Sequence, residues 1–292
     1  MKVGGKDLVL LLLVICILIF FVGLEIMLLK VENVCFKYPG SVEVLKNASF
    51  SVDKGEVVAI IGPNGSGKTT LLMVAAGLLN PSKGVVLLDD KPLKNQLPEA
   101  RRRIGLVFQD PDDQLFNSTV YDEIAFTLRQ ILPAEEADKK VVEVAERFRL
   151  SSLLDKPPYK LSIGEKRKVT LASILAYNPE VLLLDEPTAN LSIKSIEEVE
   201  KIVVEARSAG KAVVVASHDI EFVAKVANRV YILNNGSTLG GLDTKSMLTN
   251  ESLLTLADMK PPIVLQAIKL LKLRFKNEPL TLEELSEVLN SE

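Results

Sequence analysis

A glycine-rich loop is the segment of this sequence whose residue types and spacing point most directly to chemistry. It lies between an apolar run and a helical pattern, and it consists of Gly62, Pro63, Asn64, Gly65, Ser66, Gly67, Lys68 and Thr69. Glycines let the backbone turn tightly, so that consecutive N–H groups at a helix N-terminus face phosphate oxygens. Lys68 is placed to hold β- and γ-phosphates, and the Thr69 hydroxyl is placed to bind Mg²⁺. The loop therefore predicts a phosphate site, with a chance glycine turn as the alternative.

Two carboxylates end a predicted strand further along the chain. Asp185 and Glu186 directly follow the apolar run Val181 to Leu184. Ligands gather at the carboxyl ends of parallel strands, so these side chains are expected at the same edge of the sheet as the loop. Asp185 is placed to hold Mg²⁺, directly or through water, and Glu186 to polarise the water that attacks a γ-phosphate. The alternative is an acidic strand end that turns to solvent.

From about Met27 to Gly241, the order of these and later motifs resembles the ATP-binding cassette (ABC) family. The motif that resembles the family signature consists of Leu161, Ser162, Ile163, Gly164 and Glu165. In that family it caps a helix and reaches the γ-phosphate held by a partner subunit. Ser162 and Glu165 also fit an ordinary capping box, and nothing local separates the two interpretations. The resemblance implies a sandwich dimer, homomeric or heteromeric, that binds two ATP molecules with Mg²⁺.

Further single residues match positions of the same family. His218, the only histidine of the chain, follows the apolar run Val213 to Ala216, where the family places its switch histidine. The resemblance implies a γ-phosphate contact or a proton-path role for it, and a structural histidine is the alternative. Tyr38 matches the aromatic residue that stacks on adenine, and Thr70 is assigned to ATP binding. Gln109 matches the glutamine that touches Mg²⁺ and links the nucleotide state to a membrane partner.

The segment after Gln109 is similar to the ATPases of energy-coupling-factor and cobalt or nickel importers. It runs from Asp110 to Phe116, and its alternative interpretation is a polar turn before an amphipathic helix. The C-terminal region resembles the dimerisation unit of the same subfamily, with a helix from Pro262 to about Phe275 and a last helix that is capped at Thr281.

This similarity implies an ATPase subunit that energises a transporter, expected to import a metal ion or a vitamin. Its expected partners are a second ATPase subunit and transmembrane transporter subunits. Its expected place is the cytoplasmic face of the cell membrane, as a peripheral subunit. The alternatives are a nucleotide-dependent scaffold with low turnover and an ABC ATPase outside transport.

Two residues depart from the family pattern. Ile163 replaces the second glycine of the signature, and Ser192 stands where Leu191 is normally followed by an aspartate. A branched side chain could hold the backbone off the γ-phosphate, which predicts slow or asymmetric hydrolysis. The presence of Glu186 and His218 argues against an inactive site.

The elements that must position these residues read as one α/β domain. Strands buried on both faces are predicted from nearly continuous apolar runs at 57–61, 104–108, 181–184 and 212–216. Half-exposed antiparallel strands are predicted from alternating patterns at 28–38 and 45–52. We expect a P-loop NTPase fold with a mixed, mainly parallel core sheet, an antiparallel side sheet, a helical subdomain and a small helical tail.

The domain limits follow from the same patterns. The ATPase domain is expected at 27–242, with its helical subdomain at about 111–177 and a break at Pro133. The helical tail, which the resemblance associates with dimerisation, is expected at 243–292.

The net charge and the cysteine content limit the kinds of partner and cofactor that we expect. The chain has 292 residues and a formal net charge of −3, which gives no electrostatic footprint for nucleic acid. Its two cysteines, Cys16 and Cys35, are too few for a disulfide framework or a zinc site, which fits a reducing cytoplasm.

Residues 1–26 are treated as separate from the domain. Their uncharged run from Leu8 to Leu24, at ~1.5 Å per residue, reaches only the short end of a membrane span. The segment is either a membrane anchor or the product of a mis-assigned start, because Met27 leads directly into the first predicted strand.

Overall fold

The computed structural model of the chain describes residues 27–275 and 277–291. The expectation about the apolar segment at 1–26 lies outside these residues. Over the described ranges, no helix combines the length and apolar character that crossing a bilayer requires.

An antiparallel side sheet opens the domain. It contains β1 (Leu29–Lys37), β2 (Glu43–Val52), β4 (Lys83–Leu88) and β5 (Lys91–Pro92), in the order β2-β1-β4-β5. All its pairs are antiparallel, as the alternation of apolar and polar residues predicts. Val31 and Val34 of β1 and Phe50 of β2 are buried, so one face of the sheet covers the core.

A six-stranded central sheet carries the site. Its strands are β3 (Val57–Ile61), β6 (Ile104–Val107), β7 (Val181–Asp185), β8 (Ala212–Ala216), β9 (Arg229–Asn234) and β10 (Ser237–Asp243). The order is β10-β9-β3-β8-β7-β6, and every pair is parallel except β9 with β10. The expected mixed, mainly parallel core sheet is therefore confirmed.

Both faces of this sheet are covered, which explains its continuous apolar runs. On β7, Val181 and Leu183 join the cluster under the side sheet, whereas Leu182 and Leu184 join the cluster under the helices. Strands buried on both faces need no polar alternation. The carboxyl ends of the parallel neighbours β3, β8 and β7 lie at the same edge of this sheet.

Eleven helices are described in residues 27–275 and 277–291. They are α1 (Lys68–Ala75), α2 (Glu99–Arg103), α3 (Val120–Ile131), α4 (Ala134–Arg147), α5 (Ile163–Ala176), α6 (Ile193–Ser208), α7 (Ile220–Val226), α8 (Thr244–Leu248), α9 (Glu251–Leu256), α10 (Ile263–Leu271) and α11 (Leu282–Ser291). Short 3₁₀ turns lie at Leu93–Asn95, Pro111–Asp113, Ser151–Leu153 and Pro158–Lys160. Pro133 separates α3 from α4, as predicted, because its ring cannot continue a helix.

One of the two predicted C-terminal helices ends earlier than the pattern indicated. α10 stops at Leu271 rather than near Phe275, because Lys272 adopts a left-handed conformation with φ 55°. The last helix has the expected cap, since Thr281 Oγ1 accepts from the Glu284 N–H at 3.2 Å. Leu265 and Leu280 pack in a third apolar cluster with residues of β9 and α8. The domain limits at 242 and 243 remain predictions.

Candidate functional site

The glycine-rich loop connects β3 to α1 with a backbone that requires glycine at particular positions. Gly67, the residue before α1, has φ 104°, in the left-handed region. A Cβ added at Gly62 would lie 2.1 Å from the Leu233 carbonyl oxygen of β9. The loop is therefore pressed against a neighbouring strand, which leaves its other side open toward a ligand.

Lys68 lies at the centre of this loop. It is 7% exposed, and its Nζ donates to the carbonyls of Gly62 at 2.8 Å and Pro63 at 3.3 Å. The same Nζ lies 3.7 Å from Oε1 of Glu186. A buried ammonium needs such partners, and phosphate oxygens can take the same place. Lys68 is consequently positioned to exchange protein acceptors for those of a nucleotide.

Asp185 and Thr69 form the second part of the site. The Thr69 hydroxyl donates to Asp185 Oδ2 at 2.6 Å, and Oδ1 of this carboxylate has no hydrogen-bond partner among the described residues. Asp185 is 1% exposed, and this burial raises its pKa, against the opposing effects of the Thr69 hydrogen bond and the Lys68 charge. Carboxylate and hydroxyl oxygens suit Mg²⁺, and a cation would relieve the cost of burying this charge.

Glu186 and His218 form the third part. They follow the neighbouring parallel strands β7 and β8, and His218 Nδ1 lies 2.7 Å from Glu186 Oε2. The His218 backbone N–H donates to the same oxygen at 3.2 Å. Glu186 is 4% exposed, so its carboxylate is held between a cation and an imidazole in a nearly dry place. This arrangement can accept a proton from, or polarise, a small molecule beside it.

These three parts line one cavity of about 300 Å³. Its other lining residues are Val44, Asn64, Gly65, Gly67, Thr70 and Gln109. Tyr38 is not among them, but its hydroxyl is 3.3 Å from Thr70 Oγ1 and its ring packs edge-on against Phe36. Val44 was not predicted as a site residue, because in the sequence it is an ordinary apolar residue of a strand.

The signature-like residues lie apart from this cavity. Ser162 caps α5, since its Oγ accepts from the Glu165 N–H, and its own N–H donates to Glu165 Oε2 at 2.8 Å. Hydrogen bonds from the Ser162 side chain and backbone lower the pKa of Glu165. The capping box is therefore present, and the signature role of these residues stays a prediction. Ser162 and Ile163 are exposed at the start of this helix, whereas Leu161 is buried.

One of the two departures from the family pattern, Ser192, lies at the start of α6. Ser192 caps α6, and its Oγ is 3.1 Å from Ser195 Oγ. A Cβ added at Gly164 would lie 3.0 Å from the same Ser195 oxygen. The start of α5 thus approaches the start of α6 at Gly164, where a larger side chain would crowd Ser195.

Comparison with known families gives a match over the same part of the chain. A family model described as "ABC transporter" matches residues 45–189, which include the glycine-rich loop, the signature-like motif and the carboxylate pair.

Curated relatives match over most of the chain. An "Energy-coupling factor transporter ATP-binding protein EcfA" of Methanocaldococcus jannaschii is 38% identical over 248 residues, covering 84% of this chain and 89% of the relative. A "Cobalt import ATP-binding protein CbiO" of Rhodobacter capsulatus is 39% identical over 242 residues, covering 82% of this chain and 86% of the relative.

A solved structure agrees with these matches. It is cbiO1 from Clostridium perfringens, described as part of the ABC transporter complex cbiONQ. Its sequence is 33% identical, and the superposition has a TM-score of 0.71 and covers 85% of this chain and 100% of that chain.

Proposed function

The chain belongs to the ATP-binding subunits of ABC transporters, and from this membership we propose that it energises an importer whose membrane-spanning and substrate-binding parts lie on other chains. The protein is an ABC-type ATPase that is coupled to transmembrane transport. The observation that carries the proposal is the convergence of Lys68, Thr69, Asp185 and Glu186 on one cavity.

In the proposed mechanism the loop backbone and Lys68 hold the β- and γ-phosphates of ATP. Thr69, Asp185 and Gln109 would hold Mg²⁺, and the unpartnered Oδ1 of Asp185 supports that fit. When bound, the ion neutralises charge on the β- and γ-phosphate oxygens. Glu186 polarises the attacking water, and His218, hydrogen-bonded to Glu186, keeps this carboxylate oriented and contacts the γ-phosphate.

The signature residues act, in this proposal, on a second subunit. Ser162 lies outside the cavity of its own chain, and its exposed helix start can meet the phosphates held by a partner. The site is thus completed by a dimer in which each chain contributes a loop to one ATP and a signature to the other. The partner is an identical or a related ATPase chain.

The transport direction and substrate class are proposed from the relatives. Their names refer to an energy-coupling factor transporter and to cobalt import, which supports a metal ion or a vitamin as the imported substrate. The subunit would then sit on the cytoplasmic face of the cell membrane, attached through transmembrane partners.

The test is to co-express the chain with candidate transmembrane proteins encoded near it and to purify the complex in lipid nanodiscs or vesicles. We expect copurification, ATPase activity that the partners stimulate, and ATP-dependent uptake of Co²⁺, Ni²⁺ or one vitamin from a panel. The matched control is the complex with Glu186→Gln. Uptake that persists in this control, or a chain that never associates with a membrane partner, would contradict the proposal.

A nucleotide-dependent scaffold with little turnover is the second candidate, and Ile163 and Ser192 are the observations that favour it. The two candidates differ in turnover once the partners are present. An assembled complex that binds ATP but hydrolyses no more than its Glu186→Gln control would select the scaffold.

A further inference from the structure

Arg167 is a buried cation that none of the assigned roles uses. It lies in α5, is 1% exposed, and ranks among the largest fully buried side chains of the described residues. Its Nη1 donates to the Phe108 carbonyl at 2.6 Å, and its Nη2 donates to the Gln109 carbonyl. The helix that starts with the signature residues is therefore bonded directly to the backbone of a candidate Mg²⁺ ligand.

The charge of Arg167 makes this contact unlike ordinary core packing. Burial lowers the pKa of the guanidinium, and the negative charges of Asp110 and Asp185 oppose that shift. Its Nε has no hydrogen-bond partner among the described residues. Two carbonyls and two nearby carboxylates thus hold a desolvated cation, although an apolar side chain would fill the same space without that cost.

The segment after β6 is held to α5 at a second point. Lys166 Nζ lies 2.6 Å from Oδ1 and 2.8 Å from Oδ2 of Asp112. Only the carboxylate of this pair is well exposed, since the Asp112 side chain is 62% exposed and the Lys166 side chain 14%. The two contacts differ in kind, since Arg167 fixes the backbone of Gln109 itself, whereas Lys166 fixes a carboxylate beyond it.

Gln109 is the residue through which this anchoring reaches the nucleotide site. It lines the 300 Å³ cavity together with Thr69 and Asp185, and the same three residues line an adjoining cavity that Ile163 borders. A backbone fixed at its carbonyl limits where the side-chain amide of Gln109 can point. The position of α5 therefore influences how three candidate Mg²⁺ ligands are placed relative to one another.

We propose that Arg167 is a positioning residue of the Mg²⁺ site, which holds Gln109 in register with Thr69 and Asp185 and ties this site to the helix that carries the signature residues. The inference rests on the proposed ATPase site. In the dimer, α5 presents Ser162 to one ATP while Arg167 sets the metal ligands of the other. Movement of one helix would thereby affect both nucleotides.

The test compares Arg167→Met and Arg167→Lys with the parent chain and with Lys166→Met as the matched control. Mn²⁺ serves as the probe, and its affinity is measured by electron paramagnetic resonance with a non-hydrolysable ATP analogue bound. Nucleotide affinity is measured separately in EDTA, and thermal unfolding of each variant establishes that it is folded.

We expect Arg167→Met to weaken Mn²⁺ binding about tenfold, the loss typical when an outer contact of a metal ligand is removed. Metal-free nucleotide affinity should stay at the parent value, because the loop and Lys68 are untouched. Arg167→Lys should be intermediate, since an ammonium can keep a carbonyl contact without the two-armed geometry. Lys166→Met should match the parent in Mn²⁺ affinity, because Lys166 bonds the carboxylate of Asp112 and leaves the Gln109 backbone untouched.

Three outcomes would overturn the proposal. The first is parent-like Mn²⁺ affinity in folded Arg167→Met, or in folded Arg167→Lys where the methionine variant does not fold. The second is an equal loss in Lys166→Met, which would indicate general loosening of the segment. The third is an equal loss of metal-free nucleotide affinity, which would indicate a purely structural brace. A parent chain that binds no nucleotide would instead refute the proposed ATPase site, and this inference with it.

Discussion

Oε2 of Glu186 lies 2.7 Å from Nδ1 of His218, at the point where the parallel strands β7 and β8 end side by side. Oε1 of the same carboxylate lies 3.7 Å from Lys68 Nζ. Glu186 therefore lies between Lys68, which would hold phosphate, and His218, which would orient the Glu186 carboxylate. Its two oxygens contact different residues, one placed for phosphate binding and one for turnover. Substitutions can therefore test binding and turnover separately.

Glu186→Gln should keep ATP binding and lower turnover by roughly 10²–10⁴-fold, the contribution typical of a general base. The amide keeps the size of the side chain and one acceptor oxygen, but it cannot take up the proton. Binding is measured with a fluorescent nucleotide and turnover by phosphate release. Turnover equal to that of the parent would remove Glu186 from its role as the base.

Lys68→Ala should abolish nucleotide binding, because it removes a buried charge from the phosphate position. It should also destabilise the nucleotide-free chain, since Glu186 loses the nearby cation while staying 4% exposed. Isothermal titration and thermal unfolding report the two effects. The control is Lys54→Ala, whose side chain is 63% exposed and pairs with Glu180 rather than with a residue of the loop. Parent-like binding in Lys68→Ala would refute the phosphate assignment.

Asp185→Asn should stabilise the chain in the absence of nucleotide. It should also eliminate Mg²⁺-dependent ATP hydrolysis. Burial raises the Asp185 pKa above its ordinary value near 3.8, so the folded state binds the proton more tightly than the unfolded state. Stability is therefore lost as pH rises through that interval, and an amide avoids the loss while it still accepts from Thr69. At neutral pH we therefore expect the unfolding midpoint of Asp185→Asn to lie above that of the parent.

The pH dependence of this gain is the sharper check. The difference between Asp185→Asn and the parent should be full at neutral pH and should shrink as pH falls toward the ordinary aspartate pKa. Scanning fluorimetry across that range measures it. A gain that grows on acidification would show that the folded state favours the ionised carboxylate.

The central sheet and the phosphate loop were predictable because both depend on local sequence. Continuous apolar runs such as 57–61 and 212–216 indicate strands buried on both faces, and both strands have these bounds. The loop could be placed because its glycines and Lys68 act through the backbone next to them. Local patterns of this kind are sufficient to predict most of the fold class.

The remaining contacts could not be read from the sequence because they join distant residues. Arg167 binds carbonyls that lie 59 and 58 positions away, and in the sequence it is one of three consecutive cations that follow the signature-like motif. Val44 lines the cavity only because β2 passes beside the loop. The end of α10 was misplaced because Lys272 takes a conformation that its residue type does not indicate.

Ile163→Gly should change the turnover rate without changing ATP binding to the same chain. Ile163 is 44% exposed at the start of α5, and it lies outside the lining of the loop cavity but borders the adjoining one. If the signature meets a partner's phosphate, removal of the branched side chain lets the backbone N–H groups come closer. Phosphate release per dimer is the measurement, and no change would count against Ile163 as a constraint.

ATP with Mg²⁺ should drive dimerisation of Glu186→Gln, because the γ-phosphate would be shared by Lys68 of one subunit and Ser162 of the other. In a single chain Ser162 is occupied by Glu165, to whose Oε2 its hydroxyl donates at 2.7 Å. A partner's phosphate must compete with that internal bond, so the dimer should form only at saturating nucleotide. Light scattering should show the mass doubling on addition of ATP·Mg²⁺ to this variant.

The control for dimerisation is a second substitution, Ser162→Ala, in the Glu186→Gln background. It leaves the loop of the same chain intact, so ATP binding should persist while the nucleotide-driven increase in mass is reduced. The C-terminal helices could hold two chains together independently of ATP, and such a dimer would be present before nucleotide is added. A variant that stays monomeric at saturating ATP·Mg²⁺ would contradict the shared site, and a dimer unaffected by Ser162→Ala would contradict the part given to the signature.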